Sequence, residues 1–197
     1  MINKTYKWHS ALTKRTKTNL IVLHHAAADG SPDDVHGWHL GNGWAGIGYH
    51  IYIRKDGTAY TGRPIDTVGA HTSNYNSESI GICFEGNFSK ELMPEAQKLK
   101  GIEIVGQMKS KYPSAKVVGH RELMGTDCPG AYFPFAEISK GVLPKKELET
   151  VNDIVWELNH RGIITDTELW LKKLAEDTDA YWLARKCANM TKNVGDV

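Results

Sequence analysis

Leu20-Ile21-Val22-Leu23-His24-His25 sets four large aliphatic residues in a row and ends them with two histidines. A continuous apolar run of this length reads as a strand buried on both faces, with polar chemistry placed where it emerges from the core. A second apolar run, Lys116 to Gly119, leads into His120 in the same way. Between them, Ile47, Tyr49, Ile51 and Ile53 alternate with Gly48, His50, Tyr52 and Arg54, predicting a strand over 47–54. Asp56-Gly57 is a hairpin signal, and Thr58 to Thr61 is the returning strand. Glu78 to Glu85 reads as another strand.

Helical patterns separate these strands. Ser31 fits an N-cap, Pro32 the first helical position, and Asp33 and Asp34 the first turn. This helix carries Val35, Trp38 and His39 and stops at Gly41-Asn42-Gly43. From Pro94 to about Lys111, Ala96, Leu99, Ile102, Val105 and Met108 recur at helical spacing, as in a helix that covers a sheet. The expectation is an α/β domain over residues 1–143, a central mostly β-sheet flanked by helices. After Gly141-Val142-Leu143-Pro144 the composition shifts. Formal charge changes from +3 to −2, strand signals vanish, and helical segments are predicted at about 145–161, 166–176 and 178–191. Residues 144–197 therefore read as a small all-α module, with Gly162 ending its first helix and Thr165 or Asp166 capping the second. Trp156, Leu158, Leu169, Trp170, Leu174, Trp182 and Leu183 supply its expected core.

Composition excludes several partners. The formal charge is +1 with no lysine- or arginine-rich block, which offers nothing to nucleic acid. No apolar stretch approaches the roughly 20 residues of a transmembrane helix, so no membrane insertion is expected. Cys83, Cys128 and Cys187 are an odd set without paired spacing, against a disulfide framework. The N-terminus has no apolar secretory core, so synthesis in the cytoplasm without a signal peptide is expected.

The chemistry-bearing residues converge on three positions. His24 ends one buried strand, His120 ends another, and Cys128 follows His120 before Pro129-Gly130. Two imidazoles and a thiolate are a ligand set for Zn²⁺ that leaves a fourth position open, the pattern of a catalytic site. His25 would face away from His24 on a continuing strand, so at most one of the pair is a ligand. His9 and His160 read as surface residues, and Cys83 as a small buried apolar residue.

Six ordered pieces from about Asn19 to Phe135 carry a family resemblance. They are Val22-Leu23-His24-His25; Trp38-His39 with Trp44; Ile47-Gly48-Tyr49-His50; Asp56-Gly57-Thr58 before Gly62-Arg63-Pro64; Gly69-Ala70-His71-Thr72 with Asn76 and Ser79-Ile80-Gly81-Ile82; and Gly119-His120-Arg121 to Thr126-Asp127-Cys128-Pro129-Gly130. The chain resembles the zinc-dependent N-acetylmuramoyl-L-alanine amidases, which include phage endolysins and peptidoglycan recognition proteins. The resemblance implies one Zn²⁺ on His24, His120 and Cys128, peptidoglycan as substrate, and cleavage of the amide between the lactyl group of N-acetylmuramic acid and L-alanine.

It places Tyr49 beside the zinc-bound water or the developing oxyanion and His39, Trp44, His71 and Asn76 along the glycan–peptide cleft, although a plain core role fits Trp44 equally well. Thr126 matches a position where some phage enzymes carry lysine and animal amidases of the recognition-protein type carry threonine; threonine brings no positive charge. The rival reading is a recognition module that holds peptidoglycan without cutting it. Non-catalytic members typically lose the cysteine ligand, so Cys128 favours the enzyme. By the same resemblance the protein is a phage-type lysin that reaches the cell wall after release, its helical module serving wall binding or homo-oligomerisation.

Overall fold

The computed structural model describes residues 1–143, 151–160 and 162–176. The chain divides into two compact units, Met1–Leu143 and Pro144–Val197.

In the first unit five strands form one mixed sheet. They are β1 (Leu20–His25), β2 (Ile51–Ile53), β3 (Ala59–Thr61), β4 (Ser79–Phe84) and β5 (Lys116–Gly119). The order across the sheet is β3-β2-β4-β1-β5. β1 runs parallel to both β4 and β5, β2 runs parallel to β4, and only the edge strand β3 is antiparallel. Helices cover both faces, which is why β4 is buried throughout and β1 from Ile21 onward.

Alternation along the strands sorts the two faces. Ile21, Leu23, Ile51, Ile53, Ile80, Ile82 and Phe84 pack against Ile102, Val105 and Met108 of α2 (Glu95–Lys111) and against Ile138 of the short α3 (Phe135–Ile138). On the other face Tyr52 and Cys83 join Val35 of α1 (Pro32–Gly41) and Ile47. The N-terminus of α1 is closed by a capping box: Ser31 Oγ accepts from the Asp34 amide at 3.2 Å, and Asp34 Oδ2 accepts from the Ser31 amide at 2.7 Å.

Two expectations need correction. Residues 47–50 do not continue β2. The amide of Ile47 donates to His36 Nδ1 at 3.1 Å and that of Gly48 to His39 Nδ1 at 2.9 Å, so side chains of α1 take the donors a ladder would use. Ile47 and Tyr49 consequently belong to the α1 side, not to the face of Ile51 and Ile53. In α2, Ala96 is exposed and Gln97 is fully buried. The Gln97 Nε2 donates to the carbonyls of Ile53 and Glu85 at 3.0 and 2.9 Å, adding to the Glu85 amide that already reaches the Ile53 carbonyl at 2.9 Å and tying α2 to the strand ends.

In the second unit α4 (Val151–His160) and α5 (Thr167–Glu176) are described, and the helix expected at 178–191 lies outside the described residues, with Trp182, Leu183 and Cys187. Gly162 has φ +66°, as a helix-ending glycine requires, and Asp166 Oδ1 accepts from the Leu169 amide at 2.9 Å. Ile154, Val155, Leu158, Ile164 and Leu174 form the core, with Trp170 and Leu171 against it. Trp156 and Leu169 are 60% and 46% exposed, on the outward faces of their helices. Trp156 stacks on His160 one turn away, ring centroids 5.0 Å apart.

Candidate metal centre and cleft

The site assembles at the C-terminal ends of the parallel strands, where chain reversals leave open backbone. His24 lies on β1 opposite Cys83 of β4, with its side chain on the α1 face. His25, one residue on, turns to the α2 face, where its Nδ1 accepts from the Phe88 amide at 3.1 Å. His120 follows directly on β5.

The chain then folds back to bring Cys128 against His24. Its turns are pinned at both ends: the Arg121 amide donates to the Cys128 carbonyl at 2.8 Å, and Glu122 Oε1 accepts from the Gly119 amide at 2.6 Å. Thr126 Oγ1 accepts from the Cys128 amide at 3.3 Å, so the hydroxyl is engaged in holding the loop. Gly130, at φ +105°, lets the backbone lie on Phe88; a Cβ there would fall 2.3 Å from the Phe88 carbonyl carbon.

The ligand atoms of His24, His120 and Cys128 all lie within 4.8 Å of one another, and no other such cluster occurs among the described residues. Cys128 Sγ is 3.7 Å from His24 Nδ1. Zinc–sulfur and zinc–nitrogen bonds at a tetrahedral angle separate those atoms by about 3.6 Å, so the donors suit a zinc ion in spacing and in chemistry. Burial holds His24 well below the ordinary histidine pKa, and neighbouring His120 and His25 reinforce this, so it is a neutral imidazole at pH 7. Burial pushes the Cys128 thiol up to about 11. A metal ion must therefore displace its proton.

Aromatic and imidazole rings surround the cluster. Tyr49 lies with its ring centroid 5.2 Å from that of His24, 5.5 Å from that of His39 and 6.3 Å from that of His71. Burial, with Cys83 and Cys128 nearby, holds its phenol well above the usual tyrosine value, so the hydroxyl keeps its proton. Burial, Arg63 and His36 lower His39 to about 4. Outside the cluster a cleft of ≈ 470 Å³ opens, lined by Trp44, Ala70, His71, Thr72, Ser73, Asn76, His120 and Met124. Trp44, 43% exposed, is therefore a cleft wall and not core. Asn76 Oδ1 accepts from the amides of His71 and Thr72 at 2.8 and 2.9 Å and so shapes the cleft turn.

His71 is only 9% exposed and bonds inward, its Nδ1 3.0 Å from His24 Nε2. Sequence reasoning missed that contact, as it missed His36 and Met124. The spacing of His36 and His39 on one helix face was the only available signal for His36, and nothing marked Met124.

Residues 14–131 match the family described as N-acetylmuramoyl-L-alanine amidase. The endolysin of Enterobacteria phage K11 is 33% identical over 126 residues, spanning 59% of this chain and 83% of the relative. The peptidoglycan-recognition protein LB of Drosophila melanogaster is 37% identical over 133 residues, spanning 60% and 57%. Among solved structures, the N-acetylmuramoyl-L-alanine amidase LysC from Clostridium intestinale superposes with a TM-score of 0.68 at 38% identity, covering 71% of this chain and 94% of that one. The metal cluster, the cleft beside it and these likenesses agree: the chain belongs to the N-acetylmuramoyl-L-alanine amidase family.

Proposed function

We propose that the protein is a peptidoglycan amidase of the endolysin type, cutting the amide between the lactyl group of N-acetylmuramic acid and L-alanine. The observation that carries this reading is the His24–His120–Cys128 cluster, which reaches an open cleft through His120 and has the Tyr49 ring beside it. His24, His120 and Cys128 would hold one zinc ion. When bound, zinc supplies Lewis-acid polarisation of the carbonyl and lowers the pKa of water toward neutrality.

The remaining work falls to the chain. Water adds to the carbonyl carbon, the C–N bond breaks, and L-alanine leaves as a free amine that takes up a proton. Tyr49, kept protonated by burial, donates a hydrogen bond to the oxyanion that forms on the carbonyl oxygen, a contribution typically worth about 3–4 kcal/mol. Trp44 offers an apolar wall to the sugar ring, and Asn76 holds the His71–Thr72 turn that borders the peptide. His39 supports the Gly48 amide and hence the position of Tyr49. Thr126 fixes the Cys128 loop through its hydroxyl and adds no charge to the reacting carbonyl.

Among the described residues no helix is long and apolar enough to cross a membrane. An enzyme of the endolysin type would act on the wall after release. The helical unit would serve wall attachment or self-association. Mass analysis of digested cell wall tests the reaction: new free L-alanine amino termini with intact glycan strands are expected. Glycan cleavage, or binding without any product, would overturn it.

A further inference from the structure

Both ring nitrogens of His24 are engaged. Nδ1 faces Cys128 Sγ at 3.7 Å, and Nε2 lies 3.0 Å from Nδ1 of His71. Two imidazole nitrogens at that distance share one proton, one ring donating and the other accepting. A metal on Nδ1 of His24 settles the direction. That nitrogen must be bare, so Nε2 carries the proton and donates to His71 Nδ1. His71 then carries its own proton on Nε2, which faces Ser79 Oγ at 3.4 Å. The Ser79 hydroxyl donates onward to the Tyr75 carbonyl at 2.7 Å, leaving its oxygen lone pairs free to accept. Thr72 Oγ1 flanks the pair, 3.0 Å from His71 Nδ1 and 3.4 Å from His24 Nε2. Every proton along this chain has a consistent place.

The fold also builds a slot for the His71 ring. A Cβ on Gly81 would fall 2.5 Å from the ring's Cδ2, and a Cβ on Gly69 equally close. Gly81 sits mid-strand in β4 between Ile80 and Ile82, where glycine weakens a strand unless something needs the space. Here the imidazole occupies it. From the other side Asn76 fixes the backbone of His71.

We propose that His71 is a positioning residue of the metal centre: its imidazole sets the tautomer and ring orientation of His24, presenting Nδ1 to the ion. The inference rests on the metal reading of His24 and goes beyond a contact with substrate. Outer partners of this kind commonly change metal affinity 10–100-fold when removed.

The test is the zinc dissociation constant, measured with Zn²⁺ alone against a chromophoric chelator, alongside KM and kcat on a soluble muropeptide. His71→Phe keeps a planar ring and removes the acceptor; zinc binding should weaken about 10–100-fold. His71→Asn retains an oxygen near the place of Nδ1 and should restore most of that loss. Ser79→Ala removes only the acceptor beyond His71 and should weaken zinc several-fold, which keeps the test open if His71→Phe does not fold. Wild-type zinc affinity in His71→Phe with a raised KM would overturn the proposal and leave His71 a substrate contact. In Ser79→Ala an unchanged dissociation constant counts against it equally. Failure of the wild-type protein to bind zinc would instead overturn the metal reading, and this inference with it.

Discussion

Cys128 Sγ lies 3.7 Å from Nδ1 of His24 across 104 positions of sequence. The pairing exists because β1 lies in parallel register beside β5, and the loop leaving β5 folds back over the end of β1.

Removing this sulfur should remove the metal. Cys128→Ala is expected to abolish zinc retention, read by metal analysis of the purified protein, and wall-digesting activity with it. Chelation should inactivate the wild type and added zinc should restore it. A Cys128→Ala protein that still releases stem peptides would take Cys128 out of the site.

Tyr49→Phe separates chemistry from metal binding. The ring stays to pack against His24 and His39, and the hydroxyl is lost. Zinc content should be unchanged while kcat falls about 10²–10³-fold, the usual effect of deleting one oxyanion donor. Wild-type kcat in this variant would remove Tyr49 from the mechanism.

Acid should destabilise the fold through its buried neutral histidines, and His50 is the clearest case. Burial holds its pKa at about 3, its Nδ1 accepts from the Gly81 amide and its Nε2 donates to the Thr67 carbonyl. The unfolded chain binds this proton near pH 6.5 and the folded one only near 3. Stability from His50 is therefore complete above about pH 6.5 and is lost as pH falls toward 3, at about 1.4 kcal/mol per pH unit. Urea unfolding of wild type and His50→Leu between pH 4 and 6.5 measures this. The variant should be less stable at pH 7 and should show a shallower slope by about that amount.

Truncation after Leu143 tests the helical unit. Turnover of soluble muropeptide should persist, while clearing of intact walls slows or the oligomeric state changes in analytical ultracentrifugation. If both stay as in the full chain, residues 144–197 serve neither role.

Much of the fold was legible because its signals are local. The apolar runs at Leu20 to Leu23 and Ile80 to Ile82, the Ser31-Pro32 cap and the Asp56-Gly57 turn each act within a few residues. The misreadings arose where distant groups intervened. His36 and His39 took the amides of Ile47 and Gly48 and ended β2 early. Gln97 entered the core because its side-chain amide finds the carbonyls of Ile53 and Glu85 at the strand ends.

The same division holds at the site. Sequence by itself determined the donor types, two imidazoles and a thiol beside strand ends, since residue chemistry and strand patterns travel with the chain. Only the tertiary structure decided that His24 and not His25 meets Cys128, that His71 turns inward to His24, and that Gly81 is empty space for an imidazole. Those facts depend on which strands lie side by side and on which face each residue emerges, and no spacing along one strand encodes them.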